Sequence, residues 1–260
     1  WATRLVEGNT TVEWEIDRRF RDPGPLTFSL QVAPTSTPAE TDWTDVGPAA
    51  VNASMLVDDD KRAYGIRDDF FYRVKLQSAL GSYASPPTAV GLIPRHDYLN
   101  YREMLRQLRK RARKFTGISG WLLRQRRYGT ECQTCLDPIT REPSRSDCPE
   151  CKGTGYSQGY HAAWPILLYA TKSLTKVRTR VDPELSRGTV DPTVCMWDLH
   201  GFPQTCERDL FVEKNTDKRW RIEGTSATAD VRGMPLAQTV EMRVLPYSDP
   251  EYKIDLRLGS

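Results

Sequence analysis

Histidine is scarce in this chain of 260 residues, with His96, His161 and His200 the whole complement. None stands at a catalytic spacing, and no Gly-x-Ser-x-Gly elbow, phosphate-cradling glycine loop or His-Glu-x-x-His helix occurs. Long apolar runs are missing too. The longest, about 162–170, falls far short of the roughly 20 residues that cross a bilayer, so no membrane span is expected. Charge of one sign is not in overall excess: 37 Lys and Arg against 34 Asp and Glu leave +3, too little to make the whole chain a polyanion binder. There is no internal repeat and no low-complexity tract. No secretory signal is expected in the opening residues, and Trp1 rather than Met stands first, which leaves the true N-terminus open. What is present in quantity is aromatic: 10% of residues, including seven tryptophans, enough to exclude a disordered chain and to build one to three domains.

Cysteine is also sparse, at six residues, but four are placed in a pattern. Cys132-x2-Cys135 and Cys148-x2-Cys151 are two tight pairs separated by twelve residues. Each pair suits a turn that brings two thiolates to one ion. Two such turns complete the tetrahedral shell of Zn²⁺ and leave no position for water or substrate, so the predicted site is structural. Pro149, Gly153 and Gly155 add turn chemistry around the second pair. The competing readings are two disulfides or buried thiols, but disulfide scaffolds are usually shorter secreted chains. A redox Cys-x2-Cys would follow a strand in a βαβ pattern, which is not present. Metal-type cysteines imply assembly in a reducing cytoplasm. His161 lies near enough to substitute for a ligand or support one, though a loop or interface histidine is the preferred reading. Cys195, His200 and Cys206 are three donors without a fourth. Cys195 falls in the strand-like run 194–197, which favours a buried apolar role.

The expected fold is mainly β: an N-terminal β-sandwich, a central basic helix with a zinc knuckle, and a C-terminal small β-barrel or sandwich. Residues 1–91 alternate with period two at 12–16, 28–32 and 71–77, with Trp43 and Val46 on a short strand and Tyr83 after the Gly81 turn. Residues 92–130 form a linker and an amphipathic helix over about 96–115. There Tyr98, Tyr101, Leu105, Leu108, Ala112 and Phe115 share one face. Residues 131–157 hold the cysteines. Residues 158–260 are β-rich again, with strands at 166–170, 193–197, 219–223 and 238–245 and a hairpin turn at 215–218.

Nine Lys or Arg and no acid occupy residues 104–130. Arg106, Arg109, Lys110, Arg113, Arg124, Arg126 and Arg127 are therefore the candidates for a subunit interface or for nucleic-acid contact. The interface, or a solvated helix face, is preferred because aromatic interleaving is sparse. Asp58-Asp59-Asp60 and Asp68-Asp69 read as solvated acidic loops and not as a Ca²⁺ loop.

Residues 1–91 resemble a fibronectin type III or related immunoglobulin-like domain, through Trp14, the run 28–32, Tyr72-Arg73-Val74 and the segment 81–87. The resemblance implies that Trp14 and Tyr72 are core residues. From Asp97 onward the chain resembles neck proteins of tailed bacteriophages, of the head-completion or head–tail connector type. The Tyr- and Arg-rich helix, the cysteine element ending in Gly153-Thr154-Gly155-Tyr156, and the C-terminal runs 211–212, 219–223 and 244–252 carry it. That resemblance implies a non-enzymatic, ring-forming virion subunit between portal and tail proteins, around a DNA channel and without sequence-specific DNA binding, with the N-terminal domain as an outward decoration. The run 148–155 also matches the Cys-x2-Cys-x-Gly-x-Gly unit of J-domain co-chaperones, but in one copy whose partner pair lacks the glycines. A zinc-ribbon nucleic-acid-binding protein with an appended sandwich is the alternative function. An enzyme of the sugar- or peptide-cleaving tail type ranks below both.

Overall fold

The computed structural model describes residues 2–4, 10–17, 20, 22–35, 38–58, 70–89, 95–137, 139–140, 142–169, 194–231 and 234–256. It is 45% strand and 14% helix, so the chain is mainly β as expected. The chain divides into two compact units. One comprises Trp1–Tyr98, Arg126–Arg145 and Thr154–Gly159; the other comprises Leu99–Gln125, Ser146–Gly153 and Tyr160–Ser260. Among the described residues no helix is long and apolar enough to cross a membrane.

In the first unit, β1 (Ala2–Arg4), β2 (Thr10–Glu13), β3 (Thr27–Ala33), β4 (Thr44–Val51), β5 (Met55–Asp58), β6 (Phe71–Ser78), β7 (Gly81–Ala84) and β8 (Thr88–Ala89) make two antiparallel sheets. One runs β1-β2-β5; the other runs β4-β3-β6-β7, with β8 also on β6. Alternation along β3 turns Phe28, Leu30 and Val32 to one side, where they meet Val12, Val46, Tyr72 and Val74 in a single core. Trp14 packs at its margin, 5.0 Å from the Phe28 ring. The expected strand at 12–16 stops at Glu13, because its partner β5 begins opposite it at Met55. Asp58 is not part of a solvated acidic loop. It is buried at the end of β5 and accepts a 2.9 Å hydrogen bond from the Tyr72 hydroxyl. The other aspartates of the two acidic runs (59, 60, 68 and 69) lie outside the described residues.

The helix, α1 (Arg95–Arg111), is shorter than its apolar stripe predicts. It gives way to one π turn, Ala112–Thr116, in which the Gly117 N–H donates to the Ala112 carbonyl at 2.6 Å. A Cβ on Gly117 would stand 2.5 Å from that oxygen and 2.9 Å from Leu167, so the turn requires glycine there. Of the stripe, Tyr101, Leu105 and Ala112 are buried and Leu108 is half-buried. The side chains of Tyr98 and Phe115 lie outside the described residues.

The rest of the second unit is a closed barrel. Its strands are β9 (Ile118–Leu123), β10 (Trp164–Tyr169), β11 (Val194–His200), β12 (Leu210–Glu213), β13 (Arg219–Val231) and β14 (Met234–Val244), in the order β10-β11-β14-β13-β12-β9. Of the two C-terminal architectures expected from the sequence, the barrel is the one formed. Leu122, Ile166, Leu168, Leu199, Phe211, Ile222, Val240 and Met242 fill it. The expected turn at 215–218 joins β12 to β13, with Asp217 at φ 53°. Closure needs Gly120: a Cβ there would lie 2.3 Å from the Val212 carbonyl and 2.4 Å from the Phe211 ring.

Candidate metal centre

The segment that carries the cysteines is held by its own backbone. Isolated bridges pair Gln125 with Tyr160, Glu131 with Tyr156 and Leu136 with Pro143. Within the first cysteine pair, the Leu136 N–H donates to the Cys132 carbonyl at 3.3 Å; within the second, the Lys152 N–H donates to the Cys148 carbonyl at 2.9 Å. Each pair thus sits in one helix-like i→i+4 turn that turns both side chains to the same side. The chain leaves the second turn through Lys152 at φ 52°, Gly153 at φ 76° and Gly155 at φ 82°. At Gly153 a Cβ would meet the Ser146 carbonyl at 2.7 Å, so glycine is required by space as well as by φ.

These turns bring Cys132, Cys135, Cys148 and Cys151 together. All four are buried, and their sulfurs lie within 4.8 Å of one another. The Cys132 and Cys135 Sγ atoms are 3.8 Å apart. None of the cysteines forms a disulfide, so the disulfide reading of the two pairs is not what the fold adopts. Four buried thiols at this spacing are close enough to bind one metal ion. Ser144 supports the site: its N–H and its hydroxyl both donate to the Cys135 carbonyl at 2.8 Å. The Cys132 N–H donates to the Gly155 carbonyl at 2.9 Å. Ser144 was not singled out from the sequence, because a serine nine residues from its partner has no spacing signature.

No second centre forms from Cys195, His200 and Cys206. Among the described residues the only grouping of His, Cys, Asp and Glu that converges on a single point is the four-cysteine one. Pleating gives the reason: Cys195, Trp197 and Leu199 face the barrel core, whereas His200 falls on the other face of β11. Burial raises the Cys195 thiol to about 11, consistent with an inert core residue. His200 packs against the Tyr169 ring at 5.3 Å, and its Nδ1 is buried without a hydrogen-bond partner. Burial first, then the charges of Arg109 and Arg113, hold His200 down to about 4. His161 is half-buried, and its N–H donates to the Arg124 carbonyl at 2.8 Å. It is absent from the converging group.

The basic candidates do not gather at the metal centre. Arg106 is exposed and pairs with Glu103 at 3.0 Å; Lys110 is exposed and Arg109 half-buried on the same helix, and Arg113 is exposed in the π turn that follows. Arg124 is half-buried at the end of β9. Arg126 donates to the Gln158 side chain at 2.7 Å, and burial lowers its pKa from the usual arginine value. Arg127 lies 3.7 Å from Glu15. Asp209 is a residue that sequence reasoning missed. It is buried and accepts the N–H groups of Gln125 at 2.9 Å and Cys206 at 2.8 Å, which fixes the end of β9 where the chain enters the cysteine segment. Scanned against protein-family models and curated proteins, the chain matches none.

Proposed function

We propose that this protein is a structural virion component: a ring-forming neck subunit of a tailed bacteriophage, joining portal-side to tail-side proteins around the DNA channel, with one Zn²⁺ as a staple. The convergence of four buried cysteine sulfurs within 4.8 Å carries the staple, and the resemblance of the chain from Asp97 onward to phage neck proteins carries the connector role. Zn²⁺ bound by four thiolates has a closed tetrahedral shell, so its contribution is folding free energy and not chemistry at an open position. Cys132, Cys135, Cys148 and Cys151 would hold it; Ser144 and the Gly155 carbonyl would position the first pair. The mainly β architecture supports a packing role, and the N-terminal sheets, read as an immunoglobulin-like sandwich, would be an outward module.

Rings arise from heterologous interfaces that close. The test is therefore direct. Elemental analysis of the purified protein is expected to give one zinc per chain, and light scattering with negative-stain microscopy to give closed rings, alone or with neck partners. Zinc with a persistent monomer under both conditions would retain the metal centre and overturn the connector role. Absence of zinc would overturn the staple itself.

A further inference from the structure

The feature left unused by a zinc staple is the outer side of α1. From Arg102 to Lys114 the chain carries Arg102, Arg106, Arg109, Lys110, Arg111, Arg113 and Lys114 against one acid, Glu103. Four of these cations are spaced 4, 3 and 4 residues apart: Arg102, Arg106, Arg109 and Arg113. Arg102, Arg106 and Arg109 make a row along one side of α1, about 10 Å from end to end at 1.5 Å per residue, and Arg113 follows in the π turn that continues it. The row lies beside the buried stripe of Tyr101, Leu105 and Ala112, so packing of that stripe fixes its direction. Arg102, Arg106 and Arg113 are exposed, and Arg109 is half-buried.

We infer that this row binds the phosphate backbone of duplex DNA without reading its sequence. Two observations favour a polyanion over an acidic protein surface. Protein interfaces are built on an apolar centre with charge at the rim, whereas protein–DNA interfaces are strongly positive and polar throughout. Beside the row the exposed positions are Glu103, which pairs with Arg106 at 3.0 Å, and the cations Lys110 and Lys114. Of the exposed apolar side chains of the helix, Met104 faces away from the row, and Leu99 lies on its side one turn before Arg102. The row is also all arginine, whose planar fork pairs bidentately with phosphate oxygens. The field of the helix already reaches the barrel, since Arg109 and Arg113 add to burial in keeping His200 neutral. The inference does not depend on the metal or on ring formation.

The experiment is fluorescence anisotropy with a 30-base-pair duplex of arbitrary sequence and the full-length chain, from ~50 to ~200 mM salt. Four phosphate contacts give a slope of log K against log salt of about −3.6, a loss of roughly a hundredfold across that range. Arg106→Ala and Arg113→Ala are each expected to lower the slope by about 1 and to weaken unrelated duplexes equally. Arg243→Ala, which removes the partner of Glu223 on the barrel, is expected to leave the slope unchanged. Unchanged circular dichroism and melting temperature show that the variants fold. No binding at ~50 mM salt overturns the inference, as does a slope insensitive to Arg106 and Arg113. So does tighter binding to a polyglutamate peptide than to the duplex, which assigns the row to an acidic protein instead.

Discussion

The Sγ atoms of Cys132 and Cys135 lie 3.8 Å apart. Four sulfurs at about 2.3 Å from a tetrahedral ion stand ~3.8 Å from one another, so this pair already has ligand spacing. The full set, within 4.8 Å, needs a contraction of about 1 Å at most to reach the same geometry. Replacing one ligand should therefore be decisive, and loosening the support should be graded. Cys148→Ser is expected to abolish zinc retention and to open the segment 130–160 to proteolysis. Ser144→Ala, which removes one donor to the Cys135 carbonyl, is expected to weaken zinc by roughly 10-fold, in the lower part of the range for supporting hydrogen bonds. Competition with a chromogenic chelator measures both.

Gly120 and Gly224 form a matched test of barrel closure. Both are barrel-strand glycines, but a Cβ on Gly120 would press on Val212 and Phe211 at 2.3–2.4 Å, whereas one on Gly224 would meet Glu241 at 3.9 Å. Gly120→Ala is expected to cost at least the 1–3 kcal/mol typical of overpacking, read as a lower denaturant midpoint at unchanged m-value. Gly224→Ala should fall within about 1 kcal/mol of the parent. Equal costs would mean that β9 and β12 are not packed as closely as described.

The contrast between these two glycines also marks what the sequence could disclose. The metal centre was legible because its ligands sit in local turns, where spacing alone brings Cys132 beside Cys135 and Cys148 beside Cys151. The alternation of Phe28, Leu30 and Val32 was legible for the same reason. Barrel closure was not, because β9 lies between β10 and β12 through pairings of Leu122 with Trp164 and with Phe211, across some 40 to 90 residues. The full length of β13 was hidden because bulges near Glu223 and Thr228 break its period of two. The buried apolar role of Cys195 was legible too, from its place in a strand-like run, whereas the opposite facing of His200 on β11 follows only from the pleat.

Arg219 carries the junction between β13 and the C-terminal turn. It is buried; its guanidinium donates to the Glu251 carbonyl and, at 3.2 Å, to the Ile254 carbonyl, and lies 5.2 Å from the Tyr252 ring centre. Arg219→Met keeps the aliphatic stem but leaves those carbonyls without this donor. A loss of about 2–4 kcal/mol is expected, from two charge-assisted hydrogen bonds and the desolvated oxygens left behind. Arg243→Met, at a half-exposed pair with Glu223, should cost under about 1 kcal/mol. Chemical denaturation of both variants measures the difference.

His200 gives the fold a pH dependence with a defined sign. In the folded chain its pKa is about 4, against 6.5 for an ordinary histidine, first because it is buried and then because Arg109 and Arg113 repel a second positive charge. Tyr169 faces it as a neutral ring. Between pH ~4 and ~6.5 the unfolded chain therefore binds the proton more readily than the folded chain, so unfolding takes up protons and stability rises with pH. The contribution is fully present above about 6.5, is lost progressively as pH falls toward 4, and amounts to at most about 3 kcal/mol at 1.36 kcal/mol per unit. Urea unfolding at pH 7 and pH 4.5 should show that loss, and His200→Gln should remove most of the difference between the two pH values. An arginine change tests the second cause: Arg113→Gln is expected to raise the His200 titration measured by NMR and to narrow the window from its acid side. A His200 resonance that titrates near 6.5 in the folded protein would show that the ring is solvated.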